Sequence, residues 1–170
     1  ASLHILCLWA PATFTWQNLV MSLGMYAATT IGITFSYHRN LAHRSFKIPK
    51  WLEYPAAYVG AMALQGAPID WVVNHRYHHL HCDTPLDPHS PYEGFWWSHM
   101  GWLLDDLRLK DRCGDTSNSR DLLSQPFYQH MEKWYGLHVT GMYLTLLALG
   151  GFPALVWGGA VRVVALWHVT

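Results

Sequence analysis

Five histidines in two spaced groups are the residues of this chain best suited to do chemistry. His38 and His43 stand in "HRNLAH", and His75, His78 and His79 in "HRYHH". Helical geometry treats the two groups differently. At roughly 100° per residue, positions i, i+3 and i+4 fall within about 100° of one another, so His75, His78 and His79 can turn three imidazoles one way. That is what a metal ion needs from one helix. His38 and His43 are five apart, about 140° around an unbroken α-helix, so they must bend the backbone or address two different metal ions. His81 falls on the opposite side from His79 and is read as a bystander.

Alone, H-x-x-x-x-H is a weak signal, whereas three histidines on one helical face have few structural uses. Zinc hydrolases need H-E-x-x-H with a glutamate base, but Arg76 and Tyr77 occupy that interval. Carboxylate-bridged di-iron bundles need Glu-x-x-His pairs, and the chain has none. What remains is an all-histidine site for a redox metal, most naturally iron.

The elements that must hold such a site are apolar. Of 170 residues, 51% are hydrophobic and only 13% charged, too few charges for an ordinary soluble domain. Ala1 to His38 contains no Asp, Glu, Lys or Arg, and Trp134 to Thr170 contains only Arg162. The pattern predicts an all-α integral membrane protein with apolar segments at both ends and an aqueous block between, and the balanced charge points to no nucleic-acid partner. Asn18 to Tyr37 has the roughly 20 residues a bilayer crossing requires. Small residues along it (Gly24, Ala27, Ala28, Gly32) suit close helix packing. Leu3 to Ala10 reads as the stump of a preceding helix. Leu137–Leu149 and Pro153–Val169 form a second apolar pair around the turn "GGFP". Buried helices of a soluble bundle are the alternative reading.

Arg39, Arg44, Lys47 and Lys50 follow the first full span and mark that side as cytosolic or stromal. A secretory signal fits poorly, since no basic region precedes the first apolar run. Cys7, Cys82 and Cys113 are scattered and suggest neither a disulfide framework nor a zinc ribbon. Trp51 to Leu64, interrupted by Glu53 and Pro55, reads as a helix in the interface or under a cap. Lys110 to Asp121 has loop composition and is expected to be the most mobile part of that cap.

The stretches "GITFSYHRNLAHRSFKIPKWLEY" and "LQGAPIDWVVNHRYHHLHCDTPLDPHSPYEGFWWSHMGWLL" closely resemble the membrane fatty acyl desaturases, above all the plant-type delta-9 acyl-lipid and acyl-CoA branch. The resemblance covers nearly the whole chain. It implies one desaturase domain over 1–170, with a four-transmembrane-helix fold whose first and last helices are truncated. A membrane hairpin would occupy 1–38, a cytosolic or stromal cap 39–133 and a second hairpin 134–170. It also implies two iron ions, with His38, His43, His75, His78 and His79 as ligands. The family's N-S-x-x-H segment and third histidine box are expected beyond Thr170, so the chain is expected to be a fragment, inactive alone.

Such an enzyme would act with O₂ on a fatty acyl-CoA or acyl-lipid in the membrane. Its electron donor would be cytochrome b5 in the endoplasmic reticulum or ferredoxin in a plastid. On the same resemblance Gln65 and Trp71 are expected to touch the acyl chain. Asp83, Asp87, His89 and His99 are expected to orient ligand imidazoles through their second nitrogens. His4, His130, His138 and His168 have no partners in the sequence and receive no role. A related membrane hydroxylase and a non-catalytic truncated subunit are the alternatives.

Overall fold

A computed structural model describes Ser2–Thr170, apart from the side chains of Ser2 and Asp106; Ala1, where the first expected hairpin begins, lies outside the described residues. Every regular element among them is helical. The short helix α1 (Ser2–Leu6) is followed by single turns, and Thr15 then caps α2 by accepting the Asn18 N–H. Helix α2 runs over Trp16–Ile31 and continues as a π-helix over Gly32–Ala42. The joined stretch Trp16–Ala42 is long and apolar enough to cross a membrane, and the expected span Asn18 to Tyr37 lies within it.

The longest helices of the central block are α3 (Lys50–Ala61), α4 (Pro68–His81) and α5 (Asp106–Cys113), with shorter helical turns between α4 and α5 and after α5. Twelve residues leave α3 too short to cross a bilayer. It packs against the π-helical part of α2 at glycine on glycine. A Cβ at Gly32 would lie 2.4 Å from the Gly60 nitrogen, so only glycine permits this approach. Pro68 starts α4 at a position where a missing N–H costs nothing.

The segment from Lys110 to Asp121 departs from the loop expectation. It forms the end of α5, a turn at Thr116–Ser119 and the start of a helical turn at Arg120–Leu123. Its polar residues have defined partners: Asp115 accepts the Ser117 N–H, and the Asn118 carboxamide donates to the Val73 carbonyl. Cys113 and Ser119 are buried beneath it.

The second apolar stretch, Pro126–Val169, begins in α6 (Pro126–Ala154) and reverses within it. Gly151 takes φ 64° and ψ −161°, a conformation that glycine adopts without a Cβ penalty. The Tyr143 hydroxyl donates to the Gly159 carbonyl at 3.2 Å, so the two limbs lie side by side. The turn "GGFP" is thus the bend of the expected hairpin. Its returning limb is π-helical Leu155–Val161 followed by α7 (Arg162–Val169).

Arg162 is completely buried in that limb. It donates to the Gly158 and Met62 carbonyls at 2.6 and 2.8 Å and to the Thr29 hydroxyl at 3.3 Å. One side chain therefore joins α7, α2 and the turn after α3. Tyr37, Val72, Tyr128, Met131 and Leu166 fill the adjoining core.

Candidate metal centre

The π-helical stretch solves the spacing of the first histidine pair. The His43 N–H donates to the His38 carbonyl at 3.0 Å, an i→i+5 bond. In such a ladder residues five apart stack on one face, which removes the separation an α-helix would impose. The two Nε2 atoms lie 2.9 Å apart. The backbone bends, as one of the two sequence alternatives requires.

Helix α4 brings His75 and His79 to the same place. Four apart, they share a face, and their Nε2 atoms are 3.1 Å from one another. His75 Nε2 is 3.3 Å from His43 Nε2. The donor atoms of His38, His43, His75 and His79 all lie within 4.8 Å of one another. Burial, and then the surrounding histidines 38, 79, 43 and 78, push His75 down to about 3, so its ring is neutral at ordinary pH. Burial lowers His79 as well. A neutral ring keeps a lone pair for a metal. Four convergent imidazoles of this kind suit a divalent transition ion, and the group includes no carboxylate that would favour magnesium or calcium.

His78, the third histidine of that group, has partners of its own. Its ring centre lies 6.1 Å from that of His75 and 5.3 Å from that of His79, and its donor atom groups with Cys82 and Asp87. Its Nδ1 lies 2.9 Å from the fully buried Asp87 carboxylate, and its Nε2 lies 3.9 Å from Cys82 Sγ. Burial alone would raise Asp87, but hydrogen bonds from His78 and from the His89 and Asp83 N–H groups hold it below its ordinary value. An ionised Asp87 fixes the proton on His78 Nδ1 and leaves Nε2 free as a donor atom.

The other expected helpers divide. Asp83 reaches Asp87 through its backbone N–H at 3.1 Å. His89 stacks on His78 with ring centres 4.1 Å apart. His99 bonds none of the five box histidines; its Nε2 meets His168 Nδ1 at 3.0 Å, and His168 Nε2 meets His4 at 3.1 Å. His130 and His138 pair at 3.1 Å beside the backbone distortion at Trp134. Sequence spacing carried no signal for these contacts. His81 packs at a tilt against Tyr77, 4.4 Å between centres, and belongs to neither group.

Sequence reasoning also missed Arg76. Its Nε donates to the Ala42 carbonyl at 3.1 Å and Nη2 to the Leu41 carbonyl at 2.6 Å. Those carbonyls belong to the end of the π-helix, where a cation is favoured and acceptors lack intrahelical donors. Both Nη atoms also grip Asp121, at 2.9 and 3.0 Å. Arg76 therefore locks the helix of the second histidine group to the end of the first. A cation flanked by two histidine positions was the available signal.

Two cavities flank the helix of the second histidine group and share Gln65 and Trp102 in their walls. The inner one, about 500 Å³, is lined by His38, His75, His78, Gln65, Trp71 and Leu103 among others. An outer one of about 750 Å³ lies past Gln65 and Trp102. A small neck of about 30 Å³, walled by Gln65, Trp71, Asn74, His75, His89 and Trp102, shares Gln65 and Trp102 with both. Trp71 stacks on His75, 4.7 Å between centres, and its indole N–H donates to the Gln65 carboxamide oxygen at 3.1 Å. Gln65 in turn donates to the Thr170 hydroxyl at 2.8 Å.

Apolar helices long enough to span a membrane, joined to clustered imidazole donors, define a helical protein with a metal-competent histidine site. The chain belongs to the fatty acid desaturase family, whose pattern it matches over residues 14–170. It is 52% identical over 170 residues to a chloroplastic palmitoyl-monogalactosyldiacylglycerol delta-7 desaturase of Arabidopsis thaliana, covering 99% of this chain and 46% of that protein. An acyl-CoA 5-desaturase of Anemone leveillei is 53% identical over 169 residues, with 99% and 53% covered. Delta-9 acyl-lipid desaturase 1 of Arabidopsis thaliana is 50% identical over 167 residues, with 98% and 55% covered. The chain thus spans about half the length of the curated relatives it matches.

Proposed function

We propose that this chain is the first two histidine groups and the acyl channel of an O₂-dependent membrane desaturase, which introduces a cis double bond into a saturated acyl chain. The observation that carries the reading is the convergence of four imidazoles, of which His38 and His75 also line the inner cavity. His38, His43, His75, His78 and His79 would hold iron, two ions in the complete enzyme, together with ligands from the rest of the protein. The bound iron would supply the O₂ chemistry that an unactivated methylene pair requires. Overall, two hydrogens leave adjacent carbons, and O₂ with two electrons and two protons from solvent becomes two waters. Cytochrome b5 would deliver the electrons at the endoplasmic reticulum, or ferredoxin in a plastid, with the cap on the cytosolic or stromal side.

The chain's own residues position and shield the acyl chain. Gln65 and Trp71, tied to each other, wall the neck and set where the chain passes His75. Asp87 holds the His78 ring and its tautomer, and Arg76 holds the two histidine groups in register. Aromatic and aliphatic walls exclude water from the reacting carbons.

Expressing the full-length parent in a desaturase-deficient host and profiling its fatty acids tests this reading. A new cis-monoene that disappears in His75→Ala supports it, with delta-9 the position expected from the resemblance. A hydroxy acid would instead identify a hydroxylase, and no product would identify a non-catalytic subunit.

A further inference from the structure

We propose that His4, His168 and His99 form a proton relay that carries solvent protons into the inner cavity for the reduction of O₂. This rests on the desaturase reading, in which two protons per reaction must reach a pocket whose walls keep water from the reacting carbons. A dry pocket that consumes protons needs a route for them other than bulk water.

The three rings are joined in series. His168 Nε2 lies 3.1 Å from His4 Nε2, and His168 Nδ1 lies 3.0 Å from His99 Nε2. The central imidazole is thus bonded through both of its nitrogens, as a proton shuttle requires, since it must accept on one atom and release from the other. The open ends of the series are the Nδ1 atoms of His4 and His99, neither of which bonds a described residue. The outer rings are held in place. His99 stacks on Phe95, 5.3 Å between centres, and His4 meets His168 edge-on at 83°.

The inner end opens where the protons are used, because His99 lines the inner cavity together with His38, His75 and His78. The outer end lies on the cap side. Thr170, two residues past His168, bonds Gln65 at the neck, while His168 is exposed and His4 half-buried. A metal site is a poorer account of the same rings. Nitrogens in series share no common centre, and the two convergent donor groups among the described residues include none of the three. A purely structural tie between the segments is the competing account.

In one transfer His4 Nδ1 takes a proton from water while its Nε2–H gives one to His168 Nε2. His168 Nδ1–H gives its own to His99 Nε2, and His99 Nδ1–H releases one into the cavity. On each ring one N–H bond forms and one breaks, so no ring keeps a charge and no electron moves. Exchange of the partly exposed rings with water restores the starting tautomers. None of the three histidines belongs to the five that would hold iron, so the relay can be altered without removing a ligand.

The test uses the full-length protein in nanodiscs and the variant His168→Gln, whose carboxamide keeps one donor and one acceptor but cannot pass a proton on. In protein loaded with diamagnetic zinc, nuclear magnetic resonance of isotope-labelled histidine follows exchange of the His99 ring N–H with D₂O. In the iron-loaded enzyme, double-bond formation is measured in H₂O and D₂O, and for His168→Gly also with added imidazole. The expected results for His168→Gln are exchange and double-bond formation slowed about tenfold or more, a larger solvent isotope effect and an unchanged melting temperature. Imidazole should restore part of the rate to His168→Gly. Wild-type exchange or a wild-type rate in His168→Gln overturns the relay and leaves a structural tie, as does a folded His168→Gly that imidazole does not rescue. Slowed exchange in His168→Gln, with no double bond formed even by the wild type, supports the relay and overturns the desaturase reading instead.

Discussion

The guanidinium of Arg76 lies against the carboxylate of Asp121, with nitrogen–oxygen distances of 2.9 and 3.0 Å, while the same group caps the carbonyls of Leu41 and Ala42. Forty-five residues separate the ion-pair partners in sequence. Their fork ties the segment around Asp121 to both histidine groups at once.

Replacing Asp121 with Asn removes the charge but keeps the shape. The expected loss is about 1–3 kcal/mol, below the ~3–5 kcal/mol of a fully buried pair, because Asp121 is partly exposed. Arg76→Lys should lower the iron content of the full-length protein more than Arg76→Gln changes its secondary structure, since an ammonium cannot fork. Thermal unfolding in detergent and metal analysis check the two halves; unchanged iron in both variants would remove Arg76 from its positioning role.

Acid should reveal the same pair. Burial alone would raise Asp121, but the hydrogen bonds and charges of Arg76 and Arg44 hold it down to about 2. An unfolded aspartate titrates near ~3.9. Because the folded value is the lower one, the stabilisation is complete above about pH 4 and is lost as pH falls towards about 2. The difference in melting temperature between wild type and Asp121→Asn should be flat above about pH 4.5 and shrink below it.

Asp87→Ala leaves His78 without a partner for Nδ1. Loss of such a carboxylate is expected to weaken metal binding by about 10–100-fold. Cobalt titration of the full-length protein, followed by its visible absorption, measures this. Cys82→Ser, which leaves the Asp87 contact intact, should change the affinity far less.

Gly32→Ala should be the most damaging small change in the first span. Its methyl group would meet the Gly60 nitrogen at 2.4 Å, forcing the helices apart at a cost of about 1–3 kcal/mol or more. Gly24→Ala, on the same helix with open space around it, is expected to be neutral or slightly stabilising. Equal melting temperatures for the two variants would contradict the close packing.

Much of this was legible in the sequence because it depends on local spacing. Charge-free runs predict the long apolar helices, and "GGFP" predicts the bend that Gly151 makes. Grouping by face brought His75 and His79 together. It did not foresee that Asp87, nine residues on, takes the Nδ1 of His78, since helical angle says nothing of residues outside the helix. The π-helix was half legible: five-residue spacing demanded a deformation without specifying i→i+5 bonding. Loop composition misled at Lys110–Asp121, where polar residues bond to distant partners. The pairing of His99 with His168 depends on tertiary approach over 69 residues, which no local pattern encodes.

Arg162 has a consequence for how the chain is built. A lone arginine in an apolar helix is opposed at the insertion step by roughly 2.5–3.5 kcal/mol when it lies mid-membrane. Its oxygen acceptors beyond its own limb are the Thr29 hydroxyl and the Met62 carbonyl, which lie earlier in the chain, with the Met142 sulfur of the facing limb 3.6 Å away. The residues emerging first from the ribosome therefore form the receptacle for a charge that emerges last, and the second hairpin gains its full stability only when it docks against the first. Assembly acquires a direction from one side chain.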